Sequence, residues 1–324
     1  MSGGRPRYPP PPDRTADLVE VVVPTLGRPS LQAALAPLLG RVPVIVVDDR
    51  PGGDDLVLPG VRVLRSWGRG PAAARNTGWR SSSAAWVAFL DDDVEPPDDW
   101  VAQLHADLRS LPAEVAATQG RLVVPLPTHR RPTDWERSTA GLESARWATA
   151  DMAYRRSALE QVGGFDERFP RAYREDADLG LRVVAAGRRI VRGQRGVVHP
   201  VRPATWRQSI RGQRGNADDA LMRALHGRDW RARARVPAGR RRWHLVTTAA
   251  LLAIAVPQVR RPALLLWLGL TAEFAWRRIA PGPRTPTEVA TMTVTSVAIP
   301  PVATAWWLHG WTRVPRLLRR GAGR

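Results

Sequence analysis

The stretch that decides how this chain is read is Trp86-Val87-Ala88-Phe89-Leu90-Asp91-Asp92-Asp93. Its first five residues are a short unbroken apolar run, the pattern of a β-strand buried on both faces. Its last three are adjacent carboxylates, which raise one another's pKa and are unfavourable together unless a cation sits beside them. A hard divalent ion resolves that conflict, and all-oxygen donors suit Mg²⁺ or Mn²⁺. The plain alternative is a solvated acidic turn ahead of the helical pattern that begins near Trp100.

Outward from this strand the same rhythm repeats. Leu18–Val23, Val42–Val47 and Val61–Leu64 read as strands, and Ser30–Leu39 and Pro71–Ser81 as helices, with Ser30 a candidate N-cap. Downstream, a helix is expected after Trp100, strands near Leu122–Val124 and Ala150–Tyr154, a helix around Asp176–Ala186 and a short strand at Ile190–Val191. Continuous apolar strands separated by helices predict an α/β fold with a mostly parallel, Rossmann-like sheet flanked by helices. Ligands of such sheets bind beyond the carboxyl ends of the strands, where Asp48-Asp49 and Asp91–Asp93 both fall.

Six short motifs stand in order along residues 18–220. They are Val23-Pro24-Thr25, Val46-Val47-Asp48-Asp49, the Gly70–Gly78 segment containing Arg75-Asn76, the Phe89–Asp93 strand end, Val162-Gly163-Gly164-Phe165-Asp166, and Arg174-Glu175-Asp176-Ala177-Asp178-Leu179. Together they resemble family 2 of the glycosyltransferases. The resemblance implies a nucleotide-diphospho-sugar transferase fold of the GT-A type, a divalent metal (Mg²⁺ or Mn²⁺) and inversion at the anomeric carbon.

Carried over residue by residue, the resemblance places Pro24 and Thr25 at the nucleotide and Asp48 or Asp49 at its base. Arg75 and Asn76 line the donor pocket, where an arginine offers a planar charge-assisted fork to a diphosphate. Asp91 and Asp93 match the Asp-x-Asp motif, for ribose and metal contacts, and Asp92 between them counts with the donor site. Glu175-Asp176 matches the pair whose aspartate is the catalytic base, with Asp178 as the alternative. His199 is a candidate third metal ligand. Gln208-Ser209-Ile210-Arg211-Gly212 half-resembles the Gln-x-x-Arg-Trp motif of polymerising members, but glycine stands in place of tryptophan, which favours transfer of a single sugar.

Charge is divided unevenly. Residues 1–194 hold 26 Arg against 25 acidic residues, whereas residues 195–324 hold 23 against 5, and lysine and cysteine are both absent. A near-neutral catalytic part argues against nucleic acid as a partner. The basic part carries three apolar stretches, His244–Val256, Pro262–Trp276 and Val289–Trp307, the last interrupted by Pro300-Pro301. Basic flanks and tryptophans around apolar runs suit an anionic membrane surface or a transmembrane helix. The expected division is a disordered leader (1–16), a catalytic domain (17–225) and a membrane-associated helical region (226–324). The expected partners are a nucleotide-sugar donor and a lipid-linked or cell-envelope acceptor at the cytoplasmic face of a bacterial membrane. A nucleotidyltransferase of similar fold is the competing reading, but the loop Pro24–Pro29 has too little glycine to grip a triphosphate.

Overall fold

A computed structural model describes residues 18–321, so the expected leader lies outside the described residues. The elements in chain order are β1 (Val19–Thr25), α1 (Leu31–Leu35), β2 (Val44–Asp48), β3 (Arg62–Arg65), α2 (Pro71–Ser81), β4 (Trp86–Leu90), α3 (Trp100–Leu108), β5 (Val115–Val123), α4 (Asp134–Ala140), β6 (Asp151–Arg155) and α5 (Arg156–Val162). They continue with α6 (Glu175–Ala185), β7 (Arg189–Val198), α7 (Gln208–Arg211), α8 (Asn216–His226), α9 (Trp230–Arg233), α10 (Arg241–Ala253), α11 (Arg260–Ile279) and α12 (Pro286–Gly321).

Seven strands form one sheet in the order β3-β2-β1-β4-β6-β5-β7. β1 pairs in parallel with β2 and β4, β2 with β3, and β5 with β7, while β6 runs antiparallel between β4 and β5. Side-chain alternation sends Val22, Ile45, Val47 and Phe89 into one core and Val21, Val23, Val46 and Leu90 into the other. Both faces of the sheet are therefore covered, which is why these strands carry no polar alternation.

The structure differs from the sequence reading at four points. The antiparallel β6 is buried through its apolar centre, Met152–Tyr154, as a parallel strand would be, so composition gives no sign of its direction. β5 and β7 are nine and ten residues long, because exposed arginines and buried glycines break the apolar pattern that would have revealed them. Ser30 makes no side-chain cap bond to α1. In the C-terminal part, Pro300 and Pro301 lie inside one continuous helix, α12. Neighbouring helices cover that turn, where Met292, Thr295, Ser296 and Ile299 are buried.

Candidate active site

The carboxyl ends of β1, β2 and β4 come together in register, with Thr25 opposite Asp48 and Val22 opposite Phe89. Pro24 pairs with Val47 inside this edge. Thr25 donates its hydroxyl to Asp92 Oδ2 at 2.6 Å and accepts the amide of Gly27, and Arg28 donates to Asp92 Oδ1 at 2.5 Å. Asp92 is thus buried and engaged in fastening the loop after β1 to the end of β4. Asp48 accepts the side chain of Arg50 at 2.7 and 2.9 Å, a hydrogen-bonded pairing that holds its pKa below the ordinary carboxylate range. Asp49 accepts from Ser66 Oγ and from the amide of Gly70, fixing the turn that opens α2. Both carboxylates accept hydrogen bonds from within the protein, Asp48 from Arg50 and Asp49 from Ser66 and Gly70.

Arg75, on α2, is the centre of the arrangement. Its side chain is only 2% exposed, and it donates to Glu175 Oε1 at 2.9 Å and to Asp91 Oδ1 at 2.7 Å. Burial opposes its charge, but Asp91 and Glu175 outweigh that and raise its pKa above the ordinary value. One guanidinium therefore joins the Asp-x-Asp strand end to the Glu-Asp pair, with Arg75 and Glu175 100 residues apart in sequence. Asp91 retains 27% side-chain exposure and is the most open carboxylate of the triplet.

Glu175 and Asp176 open α6, where carboxylates are favoured by the helix N-terminus. Glu175 is fully enclosed and its Oε2 has no hydrogen-bond partner. Burial and the neighbouring Asp176 push it up to about 8 despite Arg75. Asp176 keeps part of its surface accessible. Its pKa is also raised, first by desolvation, against the amide of Ala177 and the charges of Arg75 and Arg174. A carboxylate lifted toward neutrality and still accessible is suited to receive a proton. Asp178 is a different case: it is buried and paired with Arg182 at 2.7 Å and His226 at 2.7 Å, and its pKa is held below the usual range.

Asp93 lies 2.8 Å from Arg202 and 3.8 Å from His199 Nε2, with Arg28 at 3.9 Å. Desolvation and the adjacent carboxylates raise its pKa, and Arg202 and His199 counter them. The buried Nδ1 of His199 has no partner. Asp91, by contrast, turns to Arg75, and among the described residues no three His, Asp or Glu side chains converge closely enough to hold a metal by themselves. The expected triad is therefore brought together only as the pair Asp93–His199. Its free coordination positions suit Mg²⁺, which is commonly held by one or two side chains plus substrate phosphates.

Asn76 does not face the cleft. Its amide donates to the Phe165 carbonyl and Glu167 and accepts the Phe165 amide and Trp79 Nε1, which locks the Gly163-Gly164-Phe165 turn onto α2. Arg174, directly before Glu175 and Asp176, adopts a left-handed backbone with φ 79°, and its guanidinium donates to Asp219 Oδ1 at 2.8 Å. Asp219 on α8 also pairs with Arg231, so α8 steadies the entry to α6.

Residues 20–179 match the family model described as Glycosyl transferase family 2. That segment is a glycosyltransferase family 2 domain. It is 32% identical over 192 residues to a pre-mycofactocin glycosyltransferase of Mycobacterium tuberculosis, an alignment covering 53% of this chain and 40% of that protein. This chain thus spans well under half the length of that relative. Among solved structures it is similar to glucosyl-3-phosphoglycerate synthase from M. tuberculosis in complex with Mn²⁺, UDP and phosphoglyceric acid, at 17% identity and TM-score 0.44, covering 70% of this chain and 81% of that one. A mycobacterial protein gives 18% identity and TM-score 0.45 over 73% and 82%. Family membership and the observed sheet make this a GT-A type fold with a C-terminal apolar helical part.

Arg28, Arg50, Arg174 and Arg202 are site residues that the sequence reading did not single out. With 49 basic residues, all arginine, composition offers no signal to tell these from surface arginines. Only their carboxylate partners identify them.

Proposed function

We propose that this protein is an inverting, metal-dependent glycosyltransferase that moves a single sugar from a nucleotide-diphospho-sugar to a hydroxyl of a membrane-proximal acceptor. The observation that carries the reading is the buried Arg75, which links Asp91 at the donor end of the sheet to Glu175 beside the accessible Asp176. In this reading Asp176 takes the proton of the acceptor hydroxyl as its oxygen forms the new bond to the anomeric carbon. The bond from that carbon to the diphosphate breaks with inversion, and the nucleoside diphosphate leaves with the electron pair. Arg75 stabilises charge gathering on the leaving diphosphate. Glu175, protonated near neutral pH, keeps Arg75 in place without adding a second negative charge beside the base.

Asp93 and His199, together with the donor's phosphates, would hold a Mg²⁺ or Mn²⁺ ion, which supplies Lewis-acid neutralisation of the diphosphate when bound. Swinging aside Arg202, whose side chain is half exposed, frees Asp93 for that role. Thr25, Pro24 and the Asp48–Arg50 pair border the nucleotide. A membrane-proximal acceptor at the cytoplasmic face is supported by the basic, apolar C-terminal part. Among the described residues one helix, Pro286–Arg319, is long and apolar enough to cross a bilayer.

The test is a panel of nucleotide-sugars screened by thermal shift with Mg²⁺ or Mn²⁺, because a true donor stabilises the fold by mass action. One donor should raise the melting temperature only when metal is present. No response to any nucleotide-sugar, with or without metal, would contradict the assignment.

A further inference from the structure

The path of the C-terminal helices bears on how this protein meets a membrane. α12 is fastened to the catalytic domain at both ends of its apolar stretch. At its start, Glu288 accepts the amide of Asp134 on α4, and the preceding Arg278 donates to Asp134 Oδ2 at 2.8 Å while Arg137 donates to the Arg278 carbonyl. Further along, Gly310 packs so closely on α8 that a Cβ there would lie 2.6 Å from the Ala217 carbonyl oxygen. Leu317 then packs against the sheet core. Glu288 and Gly310 are about 33 Å apart along a helix rising 1.5 Å per residue, a distance matching a bilayer core of about 30 Å. Yet both points rest on one soluble-faced domain. Crossing would carry either the Asp134–Arg278 pair or the α8 face, with its Asp218 and Asp219 pairs, into hydrocarbon.

α10 and α11 behave as a hairpin. Their axes bend by 117° at the break between them, so the chain leaves the domain and returns to it. Its base is tied down by Arg240 with Glu273 and by Arg278 with Asp134. Its tip is free and apolar: Leu252, Val256, Val259, Leu265, Leu266 and Leu268 are 43–71% exposed. Arg260 and Arg261 beside the tip have long stems that reach back to headgroups. The strong positive balance of residues 195–324 complements an anionic surface.

Resting on the membrane reading above, we infer that the protein is monotopic: the α10–α11 tip inserts into one leaflet of an anionic bilayer, α12 lies in the plane, and no described helix crosses. The reversal at the hairpin argues against a crossing by α10 and α11, and the double fastening argues against one by α12. α8, which holds Arg174 ahead of the catalytic pair, then sits against the in-plane helix. That arrangement brings the site to the height of lipid headgroups.

The chain has no cysteine, so single cysteines report without background. In sealed inside-out vesicles from expressing cells, Thr287→Cys and Thr312→Cys should both react with an impermeant maleimide, and in right-side-out vesicles neither should. Val259→Cys should stay unreactive in both until detergent is added. Labelling of the two α12 positions from opposite sides would overturn the in-plane inference while leaving membrane association intact. A second arm uses flotation with phosphatidylglycerol vesicles. Leu265→Glu with Leu266→Glu should weaken binding at least about tenfold, since each leucine contributes on the order of 1 kcal/mol or more when buried. If the unaltered protein neither floats nor sediments with membranes, the membrane reading itself fails, and the hairpin inference with it.

Discussion

Replacing Glu175 by glutamine keeps an acceptor for Arg75 but removes the titrating proton. Burial and Asp176 push the native carboxyl up to about 8, against an ordinary value near 4.3 in the unfolded chain. Below about pH 4 both states hold the proton, so the group contributes no pH dependence. Between the two values the native state keeps a proton that the unfolded chain releases, and stability falls as pH rises. The slope is about 1.4 kcal/mol per pH unit for one proton, so raising the pH from 5.5 to 7.5 costs the wild type roughly 3 kcal/mol. Glutamine bears no such cost. At about 2 °C per kcal/mol for a chain of this size, the melting temperature of Glu175→Gln should gain about 5 °C on the wild type across that interval. Differential scanning fluorimetry of both proteins in matched buffers reads this directly. A difference that stays flat from pH 5.5 to 7.5 would show that Arg75 holds Glu175 ionised, and would refute the assignment of a neutral Glu175 beside the base.

Two further outcomes follow from the geometry. Asp93→Ala should abolish metal-dependent stabilisation by a nucleotide-sugar, whereas Arg202→Ala should raise apparent Mg²⁺ affinity several-fold, because it removes a cation competing for Asp93 at 2.8 Å; calorimetric titration with Mg²⁺ distinguishes the two. Gly180→Ala should lower the melting temperature although alanine is the better helix former by about 1 kcal/mol. A Cβ there would lie 2.2 Å from the buried Trp147 ring, and overpacking of that kind costs about 1–3 kcal/mol or more. An unchanged melting temperature would mean that Trp147 moves freely.

The sequence carried the sheet where the strands are uniformly buried. β4 and α2 have the expected bounds, because Trp86–Leu90 is apolar throughout and Pro71 marks a helix start. It did not carry direction: β6 contains Met152, Ala153 and Tyr154 like any parallel strand, yet runs the other way. Nor did it carry length at the sheet's far edge, since Arg189, Arg192 and Gly193 disguise a ten-residue β7. Motif spacing picked out Arg75, Asp91 and Glu175, which the fold brings together, but not the contacts each carboxylate makes. Asp48, Asp49 and Asp92 are occupied by Arg50, Ser66, Gly70, Thr25 and Arg28. Apart from Asp48 and Arg50, which are two residues apart, those pairings join segments 17 to 67 residues apart, which no local pattern encodes.

The central claim is that Asp176 takes the acceptor's proton while the donor is held elsewhere. The measurement that tests it most directly is release of nucleoside diphosphate by wild type and Asp176→Asn, with the donor found by thermal shift, saturating Mg²⁺ or Mn²⁺ and an acceptor present. The account predicts that Asp176→Asn retains the donor-dependent thermal shift while transfer falls about 10²–10⁴-fold. Transfer at the wild-type rate by Asp176→Asn would contradict it.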